Sequence, residues 1–367
     1  MAYLPLSTAN LPDPAIDPAQ GENPEDYFGT LLWTGDGTSN QSVTGLNFQP
    51  DLVFSKGRNI AYGGAIFDVV RGSNAALFTN VTNAETTTDA NWNTLTFQSG
   101  GFNTGSGVGF NNNTSTFVAW NWKAGTSFSN DAGATSIGTV DSNGSVSTES
   151  GFSIVRFNSG ASGTQSFKHG LTQRPDLCIF KEKDSGGSGD HWVVWEGVAL
   201  NAAQSYGYFN LTNNFANDAS QWSNTAPTDS IFTYNSGYSF STSQEMIAYC
   251  FHSVDSYSKI SSYVGNGSSD GVFVYTGFRP SWLMVKKTDG SGVDGWTIVD
   301  NKRDTFNVMD QRIQAQASDA EGGDVDLVDF LSNGFKIRYN GQMNNQSGTT
   351  YIYLCFAEQP FKFSNAR

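Results

Sequence analysis

The chain has 367 residues and a formal net charge of −14, with 20 Lys and Arg against 34 Asp and Glu. Binding to nucleic acid requires clustered basic side chains, so this charge argues against nucleic acid and against an anionic membrane surface as partners. There are 40 Gly residues, 14% of residues are aromatic, only 15% are charged, and no long helical apolar period is present. This composition predicts an all-β fold with many turns.

The first segment, residues 1–26, holds five of the ten prolines. Such a density excludes both a helix and a central strand, so we expect an extended arm, partly of polyproline type. The arm would be either a mobile tether or a strap on another surface. Neither a basic region nor an apolar core of a secretion signal is present at this end. We therefore expect synthesis and folding in a cytoplasm, without a conventional export signal and without membrane insertion.

After the arm, one pattern of landmarks occurs three times. A Gly-rich turn leads to a proline, and an apolar run then ends on a lysine; the Pro and Lys pairs are Pro50 and Lys56, Pro175 and Lys181, and Pro280 and Lys286. Proline fixes φ and donates no hydrogen bond, which suits the start of a strand. Each copy closes on a long apolar strand at a similar distance from its proline. These repeated landmarks indicate three copies of one domain.

We therefore predict an all-β chain of three tandem antiparallel β-sandwich repeats, of jelly-roll or lectin-like type, after the extended arm. The repeats would span residues 27–125, 126–258 and 259–367. The second begins with a Ser, Thr and Gly-rich linker over residues 125–151, in which residues 136–140 could form an edge strand. The three cysteines, which fall on predicted strands, are expected to be core residues rather than disulfide or metal ligands.

Three carboxylates occupy matching places in the copies, each after an apolar strand: Asp68, Glu196 and Asp300. Two carboxylates at the right separation are enough for glycoside cleavage, so a catalytic role is the alternative to consider. A residue that recurs in every copy is more simply explained as a structural partner, here for Arg71 and Arg303. With only three histidines and no G-x-S-x-G turn, we predict no catalytic residues.

The acidic stretch 319–329 offers oxygen ligands at Asp324, Asp326 and Asp329. Calcium accepts loosely spaced oxygen ligands of this kind, although the strict EF-hand pattern is absent. A solvated acidic turn is the alternative interpretation. We therefore expect no cofactor other than a Ca²⁺ ion at these three aspartates.

Ligand recognition is expected where the copies differ, because the shared landmarks specify the scaffold. Trp92 and Trp222 lie in polar sequence settings, where an exposed indole face could stack on a sugar ring. Packing in a core or between repeats is the alternative interpretation of both residues. The variable segments also supply polar groups that hydrogen-bond to hydroxyls. The candidate ligand-binding residues are Trp92, Trp222, Asp229, Asn340, Asn344 and Asn345.

The first copy resembles a repeat of unknown function found in virion proteins of tailed phages, especially marine and cyanobacterial ones. The likeness lies in residues 27–28, 33–37, 45–56 (GLNFQPDLVFSK), 70–72, 101–102 and 117–124, and the ending 353–367 is similar to the C-termini of the same proteins. The third copy resembles the repeat at its two ends and the second copy loosely. The resemblance implies a virion structural or tail protein with a lectin-like β-sandwich and no established catalytic residues.

The resemblance leads to a functional hypothesis. We expect a non-enzymatic virion component, a tail fibre or adhesin that binds host-surface polysaccharide, attached to other virion proteins through residues 1–26. A head fibre or capsid decoration protein is the first alternative, and a polysaccharide depolymerase is the second. Sandwiches this rich in aromatic residues commonly bury leftover surface against copies of themselves, so we expect a homo-oligomer, a homotrimer.

Overall fold

The computed structural model describes residues 11–364 apart from Asn93, Ser185, Ser188, Ser291, Val293 and Asp324. The fold is nearly all β. Its strands are β1 Phe28–Thr34, β2 Gln41–Thr44, β3 Leu52–Gly57, β4 Ala65–Asp68, β5 Leu77–Phe78, β6 Leu95–Gln98, β7 Gly101–Thr104, β8 Thr116–Trp122, β9 Thr126–Asn130, β10 Ser142–Ser147, β11 Phe152–Asn158, β12 Gly163–Lys168, β13 Leu177–Glu182, β14 Val193–Glu196, β15 Ser205–Tyr208, β16 Ala216–Asn217, β17 Ile231–Ser236, β18 Glu245–Phe251, β19 Ser258–Val264, β20 Phe273–Tyr275, β21 Phe278–Lys287, β22 Thr297–Asp300, β23 Ile313–Gln314, β24 Val328–Leu331, β25 Gly334–Ile337 and β26 Thr350–Pro360.

The helices are short. The two α-helices are α1 Val108–Asn111 and α2 Ala132–Thr135, and the 3₁₀ turns are Pro18–Gln20, Pro24–Asp26 and Phe361–Phe363. Among the residues that the structure describes, no helix has the length and apolar character needed to cross a membrane.

Three large antiparallel sheets share one strand order. Inner sheet 1 is ordered β1-β8-β3-β4-β5 and inner sheet 3 is ordered β19-β26-β21-β22-β23. Inner sheet 2 contains the matching series β11-β18-β13-β14-β15 and is extended by β16 at one edge and by β10 and β9 at the other. Three small antiparallel sheets complete the fold: outer sheet 1 (β2-β7-β6), outer sheet 2 (β12-β17) and outer sheet 3 (β20-β25-β24).

The inner sheets are buried on both faces, because successive side chains of a strand point to opposite sides. Along β8, Val118, Trp120 and Trp122 join a central core, whereas Phe117 and Ala119 join a separate core with residues of outer sheet 1. Strands β18 and β26 alternate in the same way between the central core and the cores that include residues of outer sheets 2 and 3. The near-continuous apolar sequence of these three strands follows from this double burial.

The central core is shared by all three inner sheets. One aromatic residue occupies the same register position in each closing strand: Trp122 in β8, Phe251 in β18 and Phe356 in β26. These residues pair with Leu52 of β3, Leu177 of β13 and Trp282 of β21, respectively. Their rings form a triangle with centroid distances of 6.4 Å, 5.8 Å and 6.3 Å. The three inner sheets therefore meet around one aromatic centre.

Backbone hydrogen bonds close the three inner sheets into a ring. In each case the loop that follows the fifth strand of one series donates an N–H to the carbonyl of a residue just beyond the third strand of the next. The three bonds are Glu85 to Lys183 at 2.7 Å, Phe215 to Thr288 at 3.0 Å and Glu321 to Arg58 at 2.7 Å. Sheet 1 thus contacts sheet 2, sheet 2 contacts sheet 3, and sheet 3 contacts sheet 1.

The lysine that follows each apolar run lies inside this ring. Lys56, Lys181 and Lys286 are fully buried. The Lys56 ammonium donates to the carbonyl of Ala317 at 2.6 Å, and the Lys286 ammonium donates to the carbonyl of Thr212 at 2.8 Å, so both bonds cross between sheets. Burial lowers the pKa of each of the three ammonium groups to about 8.

The described part of the N-terminal arm, residues 11–26, lies on the chain itself. Ile16 is buried within the central core and Pro24 is also buried. Asp13 forms an ion pair with Lys362 at 2.5 Å, near the other end of the sequence. This part is therefore a strap on its own chain rather than a mobile tether, because an apolar side chain in the core holds it there. Residues 1–10 of the predicted arm lie outside the described residues.

Two local predictions were wrong. In the stretch expected to be a linker, β9 and β10 form on either side of residues 136–140, and those residues themselves form no strand. Pro280 does not precede its strand but lies inside β21, at a shift in the register with β26. Proline is tolerated there because an irregular position needs no ladder hydrogen bond from its nitrogen. The three cysteines are buried core residues, as predicted.

Candidate functional site

The matching carboxylates Asp68 and Asp300 are fully buried. One oxygen of Asp300 accepts the backbone N–H groups of Lys302 and Arg303, and the other accepts Nε of Arg303 at 2.6 Å and the indole N–H of Trp120 at 3.0 Å. Trp120 belongs to inner sheet 1, so the carboxylate joins two sheets.

Asp68 has the corresponding set of partners. Its carboxylate accepts two backbone N–H groups, Nε of Arg71 at 2.6 Å and the hydroxyl of Tyr249 at 2.7 Å, the last from inner sheet 2. The prediction that these aspartates are structural partners of Arg71 and Arg303 is confirmed. Neither carboxylate faces solvent, so neither is placed to act on a substrate.

Glu196 lacks both the arginine and the donor from a neighbouring sheet. It is also fully buried, and it accepts three backbone N–H groups, those of Val198, Ala199 and Leu200, together with the hydroxyl of Ser205. The position equivalent to Trp120 on β26 is Leu354, which has no polar donor. Backbone donors and one hydroxyl therefore satisfy this carboxylate.

The expectation that Trp92 and Trp222 expose an indole face is wrong. Trp222 is 0% exposed, donates its indole N–H to the carbonyl of Ser205 at 2.7 Å, and packs edge-on against Phe232. Trp92 is 4% exposed and stacks on Phe110 with ring centroids 5.2 Å apart. An edge of Trp92 lines a shallow pocket of about 200 Å³, with polar side chains from Asn80, Asn83, Asp89 and Asn91. Neither ring offers a face on which a sugar could stack.

Asn344 and Asn345 are also buried and have structural roles. The Asn345 amide donates to the side chain of Asn266 and the carbonyl of Ser268, and its oxygen accepts the backbone N–H of Asn266. Asn111 holds the corresponding turn after β1 through the same set of bonds, to Asp36 and Thr38. Asn344 donates to the carbonyl of Leu327. These asparagines belong to the scaffold rather than to a ligand site.

The remaining predicted polar residues are on the surface but are separated. Asp229 is exposed and accepts the backbone N–H of Arg174, while Asn340 is exposed just after β25 of outer sheet 3.

Of the expected calcium ligands, Asp324 lies outside the described residues, Asp326 is exposed, and Asp329 pairs with Arg338 at 3.3 Å. Within the described part of the chain, no group of three metal-binding side chains is present. The calcium site stays a prediction.

The outward face of outer sheet 3 carries two exposed aromatic side chains. On β20, Val274 points into the core, so its neighbours Phe273 and Tyr275 point outward and are 46% and 61% exposed. Tyr275 lies opposite Gly334. In outer sheet 1 the equivalent outward residues are Ser42 and Thr44. Scattered exposed apolar residues are normal, but two aromatics on alternate positions of one strand form a platform.

Charged groups border this aromatic face. Phe273 pairs with Lys336, whose ammonium lies 2.5 Å from the Asp270 carboxylate, and this hydrogen bond lowers the pKa of Asp270. Asp329 is the cross-strand neighbour of Lys336 on the other side and pairs with Arg338. The face therefore combines two rings with hydrogen-bond donors and acceptors, a combination that suits a sugar with polar hydroxyls and an apolar C–H face.

Two more exposed aromatics border the same sheet. Phe306 is 74% exposed and precedes Asn307, whose side chain bonds both backbone groups of Phe330 on β24. Phe363 is exposed next to Ser364, whose hydroxyl donates to the carbonyl of Ser332 after β24. Four of the seven exposed large hydrophobic side chains among the described residues thus lie on or beside outer sheet 3.

Sequence reasoning missed Phe273 and Tyr275. The available signal was the alternation Phe273-Val274-Tyr275 at a place where the first copy has Ser42 and Thr44 and the second has Ser166 and Lys168. A family model described as "Domain of unknown function (DUF7483)" matches residues 23–360, across all three inner sheets. No curated protein matches the sequence. Since the match covers most of the chain, this protein belongs to the DUF7483 family.

Proposed function

We propose that this chain is a non-catalytic structural protein of a phage virion, built from three copies of one antiparallel β-sandwich. Each copy would consist of one inner and one outer sheet around a local core, over residues 27–125, 126–258 and 259–367. The observation that supports a scaffold role is the burial and internal hydrogen bonding of the three matching carboxylates. Asp68, Glu196 and Asp300 are all buried and fully occupied by internal donors.

The virion assignment rests on the resemblance of the first and third copies to tailed-phage virion repeats. Within the virion, we propose a tail fibre or adhesin that binds host-surface glycan through Phe273 and Tyr275. Aromatic rings on a flat sheet face, beside charged groups, stack on sugar rings at little conformational cost. Each contact would be weak, and multiple copies on a particle would supply avidity.

A head fibre or capsid decoration protein is the second candidate, because the same arm and ring would serve on a capsid shell. The two locations are separable by immunogold electron microscopy of purified particles. Label at the tail supports the adhesin, label over the capsid supports the decoration protein, and absence of the chain from particles by mass spectrometry contradicts both.

Residues 1–10 are proposed to attach the protein to other virion proteins, since residues 11–26 are occupied by contacts with their own chain. A variant lacking only 1–10 keeps Ile16 in the core and should fold while failing to enter particles. The control is Tyr275→Ala, which should be incorporated normally. Normal incorporation of the shortened variant would contradict the attachment role.

Glycan binding is tested by cell adsorption of the purified protein. We expect Tyr275→Ala together with Phe273→Ala to reduce adsorption, because both rings are exposed and their removal leaves the core intact. Thr44→Ala at the equivalent position of outer sheet 1 is the matched control.

If the depolymerase alternative were correct, the wild-type protein would release reducing ends from host polysaccharide, and Glu196→Gln would abolish that release in a folded protein.

A further inference from the structure

Inner sheet 2 has an extension that the other two inner sheets lack. Strands β9 and β10 continue it beyond β11, with registers that place Ser129 opposite Asn143 and Asn143 opposite Arg156. Because cross-strand partners point to the same face, these three side chains form one row across the extension.

The extension borders an open groove of about 930 Å³. Its lining is dominated by hydroxyl, amide and carboxylate groups; the polar members are Ser127, Ser129, Asn130, Asp131, Thr139, Asp141, Ser142, Asn143, Arg156, Asn158 and Glu245. Convergent polar groups on a concave surface can fix the orientation of a hydroxylated ligand.

Part of the groove is ordered by internal bonds before any ligand binds. Arg156 and Glu245 form an ion pair at 2.8 Å, and the Asn158 amide donates to the second oxygen of Glu245 at 3.2 Å. The Arg156 side chain is 41% exposed, and its Nε alone is used in the bond to Glu245, so it retains N–H groups that can face a ligand. Ordering these groups before binding reduces the entropy lost when a ligand arrives.

Other polar groups of the groove remain available. Ser127, Ser129 and Asn143 are exposed, and none has a side-chain hydrogen bond to another described residue. Phe128 alternates with Ser127 and Ser129 along β9, so its half-buried ring points to the opposite face of the sheet and packs against the core shared with outer sheet 2. The groove thus presents hydroxyl and amide groups and an anchored guanidinium.

We infer that this groove binds a neutral, hydroxyl-rich oligosaccharide. Hydroxyls can donate to Glu245 and accept from Arg156 and Asn143. The carboxylates of Asp131, Asp141 and Glu245 outnumber the single arginine, and the chain as a whole carries −14, so sulfated or uronic acid glycans are disfavoured. This inference rests on the proposed glycan-binding function and adds a second site with a defined ligand class.

The test is calorimetric titration of the full-length protein with size-matched fragments of neutral dextran and mannan and of anionic alginate. We expect binding of a neutral fragment and none of alginate. Ser129→Ala with Asn143→Ala should weaken binding by about tenfold, since polar contacts to the ligand are lost from exposed positions. The matched control is Thr44→Ala with Thr96→Ala, at exposed positions of outer sheet 1, which should leave binding unchanged.

Thermal unfolding of both double variants verifies that they fold alike. If binding survives Ser129→Ala with Asn143→Ala but is lost in Phe273→Ala with Tyr275→Ala, the proposal that the groove binds the glycan is overturned. The proposed glycan site on outer sheet 3 is then supported. Preference for alginate, or for extended peptides over every glycan, would overturn the ligand class. Failure to bind any fragment would overturn the groove as well, whereas the virion assignment is decided separately by mass spectrometry of particles.

Discussion

The three buried lysines make the stability of the ring depend on pH in a specific direction. Lys56, Lys181 and Lys286 have an ordinary pKa of 10.5 that burial lowers to about 8 in the folded protein. Between these values the unfolded chain binds more protons than the folded one, so the free energy of unfolding rises with pH. The cost of burying three charges is fully present below pH 8 and is relieved as the pH approaches 10.5.

We therefore expect urea denaturation curves to show greater stability near pH 9.5 than at pH 7.5. Burial also raises the pKa of tyrosines such as Tyr351, to about 12, which makes stability fall again once the unfolded tyrosines ionise above pH 10. Lys56→Met should reduce the rise between pH 7.5 and 9.5, because one of the three titrating groups is removed. An identical rise in that variant would show that other groups cause it.

Loss of the negative charge should reduce the free energy of unfolding by different amounts at the buried aspartates and at Glu196. Asp300→Asn removes the nearer of the two carboxylates that pair with the fully buried Arg303 side chain, the other being Glu321 at 3.2 Å, and breaking a buried pair costs roughly 3–5 kcal/mol. Glu196→Gln leaves no cation unpaired, so the loss should be nearer ~1.5–3 kcal/mol, the range for hydrogen bonds to a charged group. Chemical denaturation of both variants measures the difference, and an equal loss would contradict it.

Among the elements, the closing strands β8, β18 and β26 carry the central core. Trp122→Ala removes one corner of the aromatic triangle and should destabilise the protein by ~3–5 kcal/mol, because the surrounding rings cannot collapse into the cavity. Leu32→Ala, at an exposed position on the neighbouring strand β1, is the control and should change stability by less than about 1 kcal/mol. Guanidinium denaturation followed by tryptophan fluorescence and circular dichroism measures both.

The elements also show what the sequence could predict. Continuous apolar runs identified β3, β13 and the closing strands, because strands buried on both faces leave a strong signal. The sequence left open whether Trp92 and Trp222 are buried or exposed, since polar neighbours in a turn do not reveal which way the one large side chain points. Strands β9 and β10 escaped as well, because Ser, Thr and Gly are typical of linkers and their pairing depends on the distant edge of β11. The strand register is needed to show that Phe273 and Tyr275 of β20 point outward.

At the scale of the whole molecule, the ring changes the expected oligomeric state. A homotrimer was expected because isolated sandwiches would leave aromatic surface exposed, and in the structure that surface forms the central core within one chain. We therefore expect a monomer of 39.6 kDa in multi-angle light scattering of the purified protein. A stable trimer at micromolar concentration would show that a further interface exists outside the central core.

The closure of the ring also has a consequence during synthesis. The bond from Glu321 to Arg58 and the ion pair between their side chains join residues far apart in the sequence, and the aromatic triangle needs Phe356 from the last strand. While the ribosome is still making the third part, the first two therefore leave Trp122 and Phe251 open to water. A nascent chain of this kind depends on delayed release or chaperone cover, and a prematurely terminated chain would be prone to aggregate rather than form a smaller working protein.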